Sequence, residues 1–196
     1  GEVDFETAAP FPGPCGKDWG GYACDAEEAA EIICGVPADD HPLLAALQLS
    51  NRKRFDIKKL SEESFDQFIG MVRNWRACGY LHPMDFNRRV WGTKWNAYDQ
   101  KVDPDAGTCE FDTAWSCPMG VLVKVSERFP EDAITVTYAD EDIGSNCGTF
   151  TLKAGAVVES DIAPRWGDMD EAAREKWKAF ACQVKWREPE TEDEEI

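Results

Sequence analysis

The chain has 196 residues, 43% hydrophobic and 30% charged, and its 38 acidic against 21 basic groups leave a net charge of −17. That size suits one good-sized domain, or one with a smaller companion. The charge repels nucleic-acid phosphates over most of the surface, so direct nucleic-acid binding is disfavoured and a basic protein surface is favoured as partner.

No run approaches the roughly 18 apolar residues that cross a bilayer, and no basic start with a short apolar stretch marks a secretory signal. A soluble protein of the cytoplasm, without membrane contact, is therefore expected. In chain order, residues 1–21 are rich in Pro and Gly and read as irregular chain, with Val3 and Phe5 as a strand end. Asp25 and Glu28 have the spacing of a capping box ahead of Ala29, Ala30, Ile32 and Ile33, which predicts a helix to Cys34, stopped by Gly35 and Pro37. A second short helix is expected over 42–49, where Leu43, Leu44 and Leu47 share a face. Arg52, Lys53, Arg54, Lys58 and Lys59 follow as a concentrated basic patch and read as a solvated loop. Ser61 opens the strongest amphipathic helix: Phe65, Phe68, Ile69, Val72 and Trp75 keep helical spacing, and Gly79 sits where a C-terminal cap belongs. A further turn or two of helix is expected over 84–90, ending at Gly92.

From there the period changes to two. Cys109, Phe111, Thr113 and Trp115 alternate with Glu110, Asp112, Ala114 and Ser116, which predicts a half-buried strand over 108–116. Residues 95–102 are its expected hairpin partner, across a turn at 103–107. Pro118 suits the first position of a helix carrying Met119, Leu122, Val123 and Phe129. Strands are expected over 134–138, 148–153 and 156–159, with a turn at Ala154–Gly155, then a final helix over 169–184 and an acidic, disordered tail over 188–196. The fold class is therefore α+β. A mainly helical N-terminal region covers 1–85, and an antiparallel, ferredoxin-like split β-α-β sheet with helices on one face covers 86–187.

The eight cysteines form no CxxC pair and only two histidines, His41 and His82, accompany them, so neither a disulfide framework nor a zinc site is indicated; buried free thiols are expected.

Three runs are distinctive: Asn87–Asp99 (NRRVWGTKWNAYD), Phe111–Pro118 (FDTAWSCP) and Tyr138–Gly144 (YADEDIG). Together and in this order they resemble the YubB-like family carried on bacterial plasmids and phages, whose C-terminal part is a ferredoxin-like domain. The resemblance covers residues 86–152, with a weaker match at 5–12, and Cys117 stands where the family form has proline. It implies a fold and a mobile-element setting in a bacterial cell. It implies no catalytic residues.

Chemically, Trp91, Lys94, Trp95, Tyr98 and Asp99 gather rings, a cation and an acid, and Asp112, Trp115, Tyr138, Asp140 and Glu141 can join them if strands align. One reading is a ligand or partner site walled by indoles. The other is a seam in which Trp91, Trp95 and Trp115 staple the helical part to the sheet. Asp140, Glu141 and Asp142 form a compact acid cluster without the spacing of an EF-hand loop, so a solvated turn is preferred over a cation site. No phosphate loop, dinucleotide fingerprint, HExxH or GxSxG motif occurs. No cofactor, metal or catalytic residue is assigned.

The favoured function is a non-enzymatic interaction protein of a mobile element, acting as an acidic, DNA-mimic-like inhibitor of a host nucleic-acid-binding defence protein. The alternatives are a small ligand-binding protein or enzyme using the Trp95/Tyr98/Asp140 region, and a ferredoxin-like single-strand binder that stacks bases on its sheet.

Overall fold

In the computed structural model the described residues are 2–185. Their helices are α1 (Phe5–Ala8), α2 (Cys24–Cys34), α3 (Pro42–Arg54), α4 (Glu62–Cys78), α5 (Pro83–Phe86), α6 (Met119–Arg128) and α7 (Glu171–Lys185). The strands are β1 (Tyr98–Asp103), β2 (Thr108–Asp112), β3 (Ala133–Tyr138), β4 (Gly148–Lys153) and β5 (Ala156–Ile162). The chain divides into two compact units, Phe11–Arg88 and a second that joins Gly1–Pro10 to Arg89–Ile196. Among the described residues, no helix is long and apolar enough to cross a membrane.

The first unit is helical. Ala26, Ala29 and Ala30 give α2 a flat face that buries against Phe68 and Met71 of α4 and against Leu81. Ser61 caps α4 by accepting from the Ser64 N–H at 3.0 Å. Gly79, at φ +77, ends it in the left-handed region that glycine enters without strain. Buried Asn74 ties the unit together: it accepts from the Cys15 N–H and donates to the carbonyls of Cys15 and Leu81. Two expectations change. Asp25 lies inside the first turn of α2, Ala23 being the capping position, so the capping box does not form. Helix α3 runs on to Arg54, so the basic cluster is its last turn and the short 3-10 turn after it, not a loop.

The second unit has all its strand pairs antiparallel. β4 lies between β3 and β5 in a three-stranded sheet, and β1–β2 is a separate two-stranded ribbon. On one face of the sheet Phe150 and Leu152 are buried, and α6 packs there with Val121 and Ser126. Cys147 joins Met169 and, from α7, Trp177 and Ala181 in a further cluster. The opposite face carries paired Thr135–Thr151 and Thr137–Thr149 hydroxyls at 3.2 and 3.1 Å, continued on β5 by Glu159 and Asp161. This is the expected α+β class, a helical N-terminal part followed by antiparallel strands with helices.

Several boundaries move. β2 stops at Asp112, so Thr113–Ser116 is loop, and the ribbon is exposed almost throughout where a half-buried strand was expected. Phe5 opens a helical turn, so the N-terminal segment has no strand end there. α6 stops at Arg128, leaving Phe129 exposed beyond it. All eight cysteines are free: Cys147 is fully buried, Cys15, Cys34, Cys78 and Cys117 are partly buried, and Cys24, Cys109 and Cys182 are exposed. The expected tail at 188–196 lies outside the described residues.

Candidate functional site

The motif residues form two loops stitched to each other. Beyond α5 the chain makes a π-helical turn, Asn87–Trp91, and Gly92 turns it at φ +84. The buried Thr93 hydroxyl then donates to the Ala114 carbonyl at 2.7 Å. The Ser116 hydroxyl donates to the Gly92 carbonyl, and the Thr113 hydroxyl to the Ser116 carbonyl at 2.8 Å. Gly120 lets α6 start hard against this loop, since a Cβ there would sit 1.8 Å from the Val90 carbonyl oxygen.

These bonds hold Trp115 at φ +76, a conformation that costs a bulky residue on the order of 1–3 kcal/mol. The ring is 54% exposed, and Lys94 lies over it with Nζ 3.4 Å from the centroid. The same ammonium is 5.4 Å from the centroid of Trp95, itself 50% exposed. The loops therefore present a lysine between two indoles, in cation–π range of both.

Trp91 does the opposite job. It is 3% exposed, meets Phe5 edge-on at 5.7 Å, and donates its indole N–H to the Ala9 carbonyl at 2.8 Å. It anchors the first ten residues to this unit. Side-chain amides complete the anchorage. Gln100 accepts from the Val3 N–H at 2.6 Å and donates to the Val3 carbonyl at 2.9 Å. Asn96 accepts from the Phe5 N–H and donates to Asp4. Asp4 caps α1, and the Thr7 hydroxyl on its carboxylate holds its pKa below the usual range.

Tyr98 pairs across the ribbon with Asp112, and Asp99 is bulged out at φ +48. Both are exposed, beside a shallow depression lined by Glu2, Ala97, Tyr98, Asp99, Gln100 and Val102. Tyr138 is half-buried on the three-stranded sheet, edge-on to Phe150 at 5.9 Å. Burial pushes its hydroxyl pKa up. Burial also pushes the Cys117 thiol up to about 12. Asp140 spends both oxygens on its own loop, accepting from the Asn146 amide at 2.7 Å and the Asp142 N–H at 3.3 Å. Glu141 is exposed beside it. Among the described residues, no three His, Cys, Asp or Glu side chains lie close enough together to hold a metal ion.

The structure thus brings Lys94, Trp95 and Trp115 together, pairs Tyr98 with Asp112, and gives Trp91, Tyr138 and Asp140 structural partners. It also shows a histidine that proximity in sequence did not single out. His82 is buried, stacked on Tyr22 at 4.0 Å, with Nε2 3.0 Å from Glu27 and Nδ1 accepting from the Asp85 N–H. Burial first, then the Glu27 charge, raises the Tyr22 pKa. Residues 22, 27 and 82 share no motif, so tertiary packing alone assembles them.

The ribbon β1–β2 of the second unit is strongly acidic and exposed. Residues 98–112 hold five carboxylates, Asp99, Asp103, Asp105, Glu110 and Asp112, against Lys101 alone. Asp103 folds the turn by accepting from the N–H groups of Asp105 and Ala106. No curated protein and no solved structure matches the chain. Residues 91–190, just over half of the chain, match the family described as the ferredoxin-like domain in Api92-like protein, and the chain belongs to that family.

Proposed function

We propose that the protein is a non-enzymatic interaction protein whose ribbon β1–β2 docks on a basic protein surface, with Trp95 and Trp115 as anchors beside it. The observation that carries this is the ribbon itself. Its five carboxylates are exposed, and Asp99, Asp103, Asp105 and Asp112 take part in no ion pair among the described residues. Such groups steer a cationic partner and fix its register. Exposed tryptophans belong to the residue type that most often dominates binding energy.

The resemblance to the YubB-like family supports a mobile-element setting. In that setting the partner is a host nucleic-acid-binding defence protein, and the acidic ribbon occupies the groove that would otherwise take phosphates. A site for catalysis or a small ligand around Trp95, Tyr98 and Asp140 has less support, because both Asp140 oxygens are engaged within its own loop. Base stacking on the sheet has less again, since its open face carries threonines and acids where that mode uses rings.

The test is affinity capture from a bacterial lysate, competed with duplex DNA and repeated with an Asp99→Asn, Glu110→Gln, Asp112→Asn variant. A basic nucleic-acid-binding protein should be captured, displaced by DNA and by rising salt, and lost with the variant. Equal capture by the variant, or capture indifferent to salt, would sink the reading.

A further inference from the structure

In α3 the usual hydrophobic pattern is turned outward. Ala45, Gln48 and Arg52 recur at the helical period and form the half-buried inner side, where Arg52 donates to the Val36 carbonyl at 2.8 Å and to Glu31 at 3.0 Å. On the outer side Leu43 is 76% and Leu47 57% exposed, Leu44 lies next to them, and Ser50, Asn51 and Arg54 extend the same face. No residue of this helix is buried. A helix of this length has little stability of its own in water and is normally held by burying an apolar face.

We propose that the outer face of α3 is the contact between two copies of this chain, packed antiparallel about a two-fold axis near Leu47. The ends of the helix supply the complementarity. Asp39 and Asp40 precede its first turn, and Lys53 and Arg54 close its last. With Leu47 on the axis, each residue faces the one equally far along in the other copy. Leu47 of both copies then meets on the axis with Leu44 of each beside it, opposite Ser50, and the acidic start of each helix, with Asp40, runs alongside the basic end of the other, with Arg54. Helix α3 from Pro42 to Arg54 is about 18 Å long at 1.5 Å per residue and Asp40 precedes its N-cap, so Asp40 and Arg54 stand at opposite ends and a single chain cannot pair them. Within the chain Arg54 bonds to Asn51 and to the Ser50 carbonyl, and to no carboxylate among the described residues. An isologous contact forms every pair twice, so one Asp40–Arg54 match yields two ion pairs flanking the leucines. The patch is small, which sets a dimer that dissociates on dilution, on the order of tens of micromolar. This contact does not depend on the ribbon reading.

Sedimentation equilibrium of the full chain over a wide concentration range tests it. The expected result is a monomer–dimer equilibrium that Leu47→Glu abolishes while the circular dichroism spectrum stays unchanged, since Leu47 supports no internal core. Asp40→Arg alone should weaken the dimer about tenfold, and Asp40→Arg combined with Arg54→Asp should restore it. A monomer at every concentration would overturn the proposal. So would a dimer indifferent to Leu47→Glu, or a double exchange that fails to restore binding; that last result would point to an acidic protein of another kind as the occupant of α3.

Discussion

The two β elements of the second unit are built from similar strands and held in different ways. In β3–β4–β5, alternation sorts Phe150 and Leu152 onto a buried face and the threonines onto an open one, so the sheet is fixed by what it covers. In β1–β2, Val102 and Cys109 are exposed on a ribbon that covers almost nothing. A lone two-stranded hairpin is marginal in water. This one is secured at its base, by the Gln100 and Asn96 amides on the N-terminal segment and by the stitched loops beside Trp115. Burial therefore explains the sheet but not the ribbon's acids; Asp103 shapes the turn and Glu110 faces Lys101, so Asp99, Asp105 and Asp112 are the better candidates for contact.

The largest expected effect breaks that comparison at its centre. Leu152→Ala deletes a fully buried side chain between β3 and β5 and should cost about 3–4 kcal/mol in urea unfolding. Val102→Ala, at a site 41% exposed, should cost under about 1 kcal/mol. Equal costs would mean that the ribbon is a packed element after all.

A second prediction concerns Cys117, in the loop that leads from the ribbon to α6. Its thiol is raised from 9.0 to about 12 by burial, so the folded state keeps the proton that the unfolded state gives up. The stability tied to that proton is complete below pH 9 and is lost as pH rises towards 12, amounting to about 2 kcal/mol by the middle of that interval. Cys117→Ala should flatten this alkaline limb. In native protein at pH 8, Cys117 should be alkylated well after exposed Cys24 and Cys182; early labelling at Cys117 would contradict its burial.

Where the sequence was legible, one face of an element met water and the other met protein. The stripe on α4 and the alternation of β3 and β4 could be read directly, because burial writes periodicity. Helix α3 has a stripe of the same kind, but periodicity says only that a face is apolar and is silent about what covers it. The ribbon misled in the reverse sense: Cys109, Phe111, Thr113 and Trp115 alternate as a buried face would, yet β2 ends at Asp112 and Trp115 turns out at positive φ. The Lys94–Trp115 contact is suggested by composition, and the Thr93 and Ser116 hydrogen bonds between loops over 20 residues apart help to fix it. The Tyr22–His82–Glu27 group left no trace in the sequence, since it joins a loop residue, a residue of α2 and the residue that caps α5.

The smallest stability effect separates folding from contact most cleanly. Asp99→Asn, Glu110→Gln and Asp112→Asn together remove three exposed charges; Asp99 and Asp112 take part in no ion pair among the described residues, Glu110 lies opposite Lys101, and the backbone ladder β1–β2 does not use their side chains. Glu110 and Asp112 are two residues apart on one strand, so their side chains share a face and repel. Neutralising them should leave stability within about 0.5 kcal/mol of the parent, because the lost repulsion is offset by the lost attraction between Glu110 and Lys101 opposite it. Salt screens both the repulsion and the attraction, so parent and variant should differ less in stability at moderate than at low ionic strength. If the triple variant instead unfolded more easily, the carboxylates would be part of the ribbon's own architecture. Its loss of partner binding would then report a damaged ribbon and not a missing contact.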